Sequence, residues 1–491
     1  MNALLPGRVR AGVLSLLLSA SCAPGYDAAP TAVDWAEIAR RDLQFAADTI
    51  AARHAGIVDG QPSVTAPLAA GLRLGLADAV TARSEQDYLR LMARFFAGFG
   101  DPHTAVNLRN KARGWTGIVL DQVDGRYRVV WSEPGWPGAL PPVGAIARTC
   151  DDVYTGTYLQ LKVAPYVTNG AEYPHASGSL ARQAMFDTGF GWTPAQCVFT
   201  LPDGSLRRFA LPLRSAPDQV GQERLDAARA RHHALARPVG VTALAPQRYW
   251  VGMPDFNGAR SGAAYEALYP ALAALPRPAW VVFDLRGNGG GDSQWGMRAL
   301  TALYGVPYAG QLKAADRVHK YLVADAATVA TFERYVASPA YAHSKEAMGA
   351  ELEKVRAAIR AGARMAMVSD SAGAMPDEPL AASAVARPHG PRLAAIIDRN
   401  CFSSCMSFLM RLRATGDAVV LGEPTIGYSP FGEITKFDLP SGRGAIFIPS
   451  AVFVGTQAIR EPFLPDHPFS GSMGDDRALE AWVNHTLDGL Q

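Results

Sequence analysis

Two serines and a cluster of glycines, far apart in the chain, have the residue types of one hydrolytic site. Ser403 and Ser404 close the apolar run of AAIIDRNCFSSCMSFLMRL, which with the following VVLGEPTIG lies within Ala394 to Gly427. Gly287, Gly289, Gly290 and Gly291 close the apolar run of WVVFDLRGNGGGD, Trp280 to Asp292. Each run opens on β-branched residues and reads as a buried strand. A serine at a strand-to-helix turn has its hydroxyl lifted clear of the sheet, where it can act as a nucleophile. A glycine-rich turn beside it exposes backbone N–H groups able to bind an oxyanion. The bland alternative for Ser403 is a helix N-cap.

These stretches resemble the carboxy-terminal processing (tail-specific) and tricorn-type serine peptidases. The family's DLRxNxGG loop, serine turn and GExTxG stand here, in that order, as DLRGNGGG, CFSSCMS and GEPTIG. Upstream, Asp101-Pro102-His103-Thr104 fits the family's D-x-H-T/S motif, and Pro465-Asp466 fits a P-D pair near the end. The resemblance covers roughly residues 35 to 485. It implies an α/β fold with a crotonase/ClpP-like catalytic core, an N-terminal helical region and a PDZ-like β-domain. It also implies serine-type peptide hydrolysis through an acyl-enzyme, on a peptide or protein substrate.

Aligning GEPTIG on the family pattern without gaps puts Ser403 on the nucleophile. Ser404 then supplies one oxyanion N–H, and Gly289 or Gly290 the other. The hydroxyl needs a base. The tail-specific branch places a lysine just after GExTxG, where this chain has Tyr428, and Ala414 replaces an acid found in that branch. Lys436 is the nearest downstream lysine and falls too late. The tricorn-type branch uses histidine, which makes His103 the expected base, since neutral imidazole accepts a proton near pH 7. Such a base needs an acidic orienter. The resemblance points to Glu461, with Asp466 and Glu433 as alternatives. Asp284 and Arg286 are expected to brace the glycine loop. No metal and no organic cofactor is implied.

These groups need elements to hold them. Residues 33–110 read as an N-terminal helical region, with DWAEIARRDLQFAADTIAARH and EQDYLRLMARFFAGF as helices. His54, at the end of the first, reads as surface or structural. Residues 111–215 read as the β-domain: GIVLDQV, RYRVVWSE and GAIARTCDDV as strands, then a hairpin turning at Asp203-Gly204. Residues 216–491 read as the catalytic core, its strand–helix alternation implying an α/β domain. A helical insertion at 307–390 contains HKYLVADAATVATFERYVA and KEAMGAELEKVRAAIRAGA, and could cap the site or merely decorate it.

Residues 1–21 carry Arg8 and Arg10 before the apolar stretch Ala11–Ala20, the layout of an export signal. Ser19-Ala20-Ser21-Cys22 resembles a bacterial lipoprotein cleavage site, with Cys22 lipidated and residues 22–32 as a tether; Ser19 departs from the usual leucine. The expected location is the bacterial cell envelope on the periplasmic side, with membrane contact only through that N-terminal anchor. An oxidising compartment permits disulfides. The preferred pairing of the remaining cysteines is Cys401–Cys405 and Cys150–Cys197, the i,i+4 spacing lying near the separation a bridge accepts. Without Arg8 and Arg10 the 47 basic residues become 45, against 45 acidic ones. That balance gives no support to a nucleic-acid partner.

Two other function classes fit parts of this pattern. One is a non-catalytic ligand- or peptide-binding protein on the same fold, which the absent lysine permits. The other is an acyl-CoA enzyme of the related crotonase fold, opposed by the β-domain and the export signal.

Overall fold

The run WVVFD is buried at every position, as expected of a parallel strand covered on both faces. It sits in a six-stranded sheet ordered Gly240–Ala245, Arg248–Gly252, Trp280–Asp284, Arg392–Ile397, Val419–Gly422 and His467–Pro468. The first pair is antiparallel and every later pairing is parallel. Alternate side chains of Trp280–Asp284 enter opposite cores. Val281 and Phe283 meet Tyr265, Trp295 and Phe408 from the helices Gly258–Ala273, Gln294–Tyr304 and Ser404–Arg413. Trp280 and Val282 meet Leu479, Val483 and Leu487 of the helix Asp476–Asp488. The result is a three-layer α/β core. Both the glycine loop and the serine turn leave its parallel strands at their carboxyl ends, where open α/β sheets place their sites.

The computed structural model describes residues 33–110, 113–167, 176–215, 236–315, 319–370, 389–427, 429–454 and 462–490, together with residues 223 and 227. The export signal, Cys22, Tyr428 and Glu461 lie outside them.

The strand Ala105–Leu108, immediately after the DPHT motif, pairs antiparallel with Gly444–Val454. That long strand also pairs with Phe431–Asp438 and with His319–Val323, and the last pairs with Met365–Asp370. The insertion is therefore not wholly helical. HKYLV forms a strand and only Ala326–Ala337 forms the helix after it, capped by the Asp325 side chain accepting from Thr328 N–H. The expectation of a helix through 319–337 fails because β-branched and aromatic residues at its start find a partner strand.

The β-module holds the strands Ile118–Val123, Arg126–Ser132, Ile146–Cys150, Gln196–Thr200 and Leu206–Ala210 in sequence order, with the short Val153–Tyr154 beside the third. The last two form the hairpin, and Gly204 takes φ +85° at its turn. Cys150 and Cys197 face each other across adjacent strands and are bonded. The module shares one apolar core with the N-terminal helices Trp35–Arg53, Pro62–Thr81 and Glu85–Ala97, and with Phe431, Ile446 and Val452 of the second sheet.

A buried charge cluster joins the module to the serine turn. Arg399 donates to Asp121 at 2.8 Å and to Glu423 at 2.9 and 3.1 Å, so the glutamate of GEPTIG and the β-module grip the same guanidinium. Arg182 donates to the other oxygen of Asp121. Among the described residues no helix is long and apolar enough to cross a membrane.

Candidate active site

Ser403 caps the helix Ser404–Arg413 with φ 55° and ψ −122°. A positive φ at a residue with a Cβ is strained and persists only where neighbours over-determine it. Three of them do so here. Cys401 and Cys405 are bonded around the turn, with both sulfurs buried. Cys405 N–H donates to the Phe402 carbonyl at 3.1 Å. The Ser404 hydroxyl donates to the Gly291 carbonyl at 2.5 Å, anchoring the turn to the glycine loop. Ser404 is thus occupied, while the Ser403 hydroxyl faces His103, with Oγ 3.1 Å from Nε2.

His103 is buried and lies against the Phe402 ring, centroids 4.7 Å apart. Burial lowers its pKa below the ordinary histidine value, against the opposing pull of the Asp101 and Glu433 carboxylates and the Phe431 carbonyl. A neutral ring at neutral pH is what a general base requires.

The glycine loop is braced from below. Arg286 is fully buried and binds Asp284 through Nε at 2.8 Å and Nη2 at 2.7 Å. It also reaches Asp476 at 2.8 Å and the Met473 carbonyl at 2.6 Å. Asp398 accepts from Gly287 N–H at 3.0 Å, and burial pushes its pKa up to about 6. Asn288 donates to the Met253 carbonyl and accepts from Gly290 N–H at 2.8 Å. Gly290's N–H is therefore committed to the loop itself. Gly289 N–H and Ser404 N–H, the latter at the first turn of a helix, make no hydrogen bond among the described residues.

The other sequence candidates fall as follows. Asp466 accepts from Val420 N–H at 2.7 Å and from Arg413 at 2.7 Å, which commits it to the sheet end rather than to the imidazole. Glu433 faces the His103 region but is bound at 2.7 Å by the buried Lys320, which also binds Glu351 at 2.8 Å. Lys436 is exposed and pairs with Asp438 at 2.9 Å, away from the serine. Asp101, quoted in sequence only as part of a motif, accepts from His103 N–H at 3.1 Å and from the Thr104 hydroxyl at 2.7 Å. His54 is fully buried and reaches Thr104 at 2.8 Å, so it is not a surface residue. Its position in a helical stretch gave no sign of this. Among the described residues no cluster of three or more His, Cys, Asp or Glu could hold a metal.

A serine hydroxyl facing a buried imidazole, with a glycine loop and a helix N-terminus around it, is the arrangement of a serine-type peptidase, and this chain is one. Residues 250–454 match the model of peptidase family S41. Among solved structures, mature CPAF complexed with lactacystin is similar at a TM-score of 0.65 and 12% identity, covering 93% of this chain and 97% of that one. Mature CPAF alone gives 0.63 and 13%, covering 92% and 95%. At such identity these two likenesses speak for the fold. No curated protein matches the sequence.

Proposed function

We propose that the chain is a histidine-dependent serine endopeptidase of the cell envelope. Ser403 attacks the scissile carbonyl, His103 accepts its proton and returns it to the leaving amine, and an acyl-enzyme forms and is hydrolysed by water. The observation that carries this reading is the 3.1 Å approach of Ser403 Oγ to His103 Nε2 at a strained helix cap. The oxyanion donors we assign are Gly289 N–H and Ser404 N–H, because Gly290 N–H is already given to Asn288. Glu461 stays our choice for the acidic orienter of His103. Treatment with a fluorophosphonate probe, followed by peptide mapping, tests the assignment. Labelling should fall on Ser403 and vanish in Ser403→Ala and His103→Ala. A label on any other serine would refute it.

The finer architecture belongs to the same proposal: a crotonase/ClpP-like core and a PDZ-like β-module. The parallel sheet flanked by helices supports the first, and the strand order with its Asp203-Gly204 hairpin the second. Export and acylation of Cys22 rest on the signal-like residues 1–21 and on the two disulfides, which suit an oxidising compartment. The intact mass of the mature N-terminus decides acylation, since an unmodified start beyond Cys22 would rule it out.

A further inference from the structure

Resting on the serine–histidine reading above, we propose that Asp101 is a positioning residue for the base, held in place by a buried hydrogen-bonded chain from His54 through Thr104. The direction of every proton in that chain follows from its ends. Gly56 N–H donates to His54 Nδ1 at 3.0 Å, so that nitrogen is an acceptor. Burial holds His54 neutral, with a pKa lowered to about 4, so its single ring proton sits on Nε2. Nε2–H therefore donates to Thr104 Oγ1 at 2.8 Å. The Thr104 hydroxyl, its lone pair used, turns its own proton to Asp101 Oδ2 at 2.7 Å.

The other oxygen, Asp101 Oδ1, accepts the His103 backbone N–H at 3.1 Å and lies 3.9 Å from His103 Nδ1. One carboxylate thus fixes the backbone of the base and places negative charge beside the ring. When Nε2 takes the Ser403 proton, a buried imidazolium forms, and a fixed anion at that range stabilises it without reorganisation. Thr104 and His54 are both fully buried, so water does not compete for either link. Two carboxylates bear on His103, Asp101 and Glu433. Glu433 is paired with Lys320, which it shares with Glu351. Asp101 has no lysine or arginine partner among the described residues, so no paired cation offsets its charge beside the imidazole. This role is separate from the acid role we propose for Glu461.

The test is the rate of fluorophosphonate–rhodamine labelling as a function of pH, on the full chain, with thermal unfolding recorded for every variant. This readout requires no knowledge of the natural substrate. Asp101→Asn removes the charge, and Thr104→Val lets the carboxylate turn from the ring. Each should slow labelling at pH 7 by roughly 10- to 100-fold and move the acid limb to lower pH, since the anion that favours imidazolium is lost or displaced. Thr104→Ser restores the hydroxyl and should stay within about threefold of wild type. His54→Asn keeps an N-cap acceptor for Gly56 but falls short of Thr104, and should shift the limb the same way by less. If Asp101→Asn does not fold, Thr104→Val decides. A Thr104→Val protein with the wild-type rate, or one slowed with its limb unmoved, overturns the proposal. Labelling that persists in Ser403→Ala would instead overturn the serine–histidine reading beneath it.

Discussion

Gly290 and Ser403 are in such close register that a Cβ built on the glycine would lie 2.8 Å from the serine's own Cβ and 2.9 Å from Ser404 N. Gly290 also takes φ +94°, so both its backbone angle and its surroundings demand glycine. The glycine loop and the serine turn are therefore one fitted unit, and the hydroxyl is aimed by contact from both sides.

Ser403→Ala should abolish hydrolysis of fluorescein-labelled casein and leave the thermal midpoint nearly unchanged. Ser404→Ala should retain measurable turnover, because its hydroxyl serves only to anchor the turn to Gly291. An inactive Ser404→Ala beside a fully active Ser403→Ala would move the nucleophile by one residue.

The rate should rise with pH along a limb centred below the ordinary histidine value of about 6.5, because burial holds the His103 ring neutral. His103→Ala should lose several orders of magnitude in turnover. Lys436→Ala should change little, since that amine is exposed and paired with Asp438. A limb at alkaline pH, abolished by Lys436→Ala, would contradict the assignment.

The two disulfides should separate stability from activity. The Cys150–Cys197 bridge spans 47 residues and the Cys401–Cys405 bridge spans 4. Chain-entropy arguments give about 4 kcal/mol for the first and about 2 for the second. Replacing both cysteines of the first pair by alanine should therefore lower the urea midpoint more. Replacing the second pair should slow fluorophosphonate labelling more, as the strained Ser403 turn relaxes. Equal effects of both replacements on labelling would show that the small bridge does not hold the turn.

Two buried groups should impose opposing pH dependences on stability. His54 has a folded pKa depressed from 6.5 to about 4, so its contribution is complete above pH 6.5 and is lost as pH falls toward 4. Asp398 has a folded pKa raised from 3.8 to about 6, so its contribution is lost as pH rises through that window. Between about pH 4 and 6 the two largely cancel. In Asp398→Asn the His54 slope stands uncovered, on the order of 3 kcal/mol across its range. Urea denaturation at several pH values should show a steeper acid loss in that variant than in wild type.

What the sequence disclosed depended on how local the signal was. The strand Trp280–Asp284, the serine helix and the β-hairpin were legible because periodicity and turn residues mark them within a few positions. Ser403 and His103 were legible through short motifs that resemble those of the tail-specific and tricorn-type peptidases. The His54–Thr104–Asp101 chain was not, because a histidine ending an amphipathic helix looks the same whether it meets water or a buried threonine. Lys320 was hidden for a related reason: its strand lies inside a segment with helical composition, and only pairing with Gly444–Val454 turns its amine toward Glu433. Non-local pairing is what a one-dimensional pattern does not encode.

The pairing of Ala105–Leu108 with Gly444–Val454 also has a consequence in time. His103 precedes Ser403 by 300 residues, and the strand that fixes its place is made still later. At synthesis rates of roughly 5–20 residues per second, the nascent chain carries the proposed base without the proposed nucleophile for about 15 seconds to a minute. The serine–histidine pair can be held together only once Gly444–Val454 exists to pair with Ala105–Leu108.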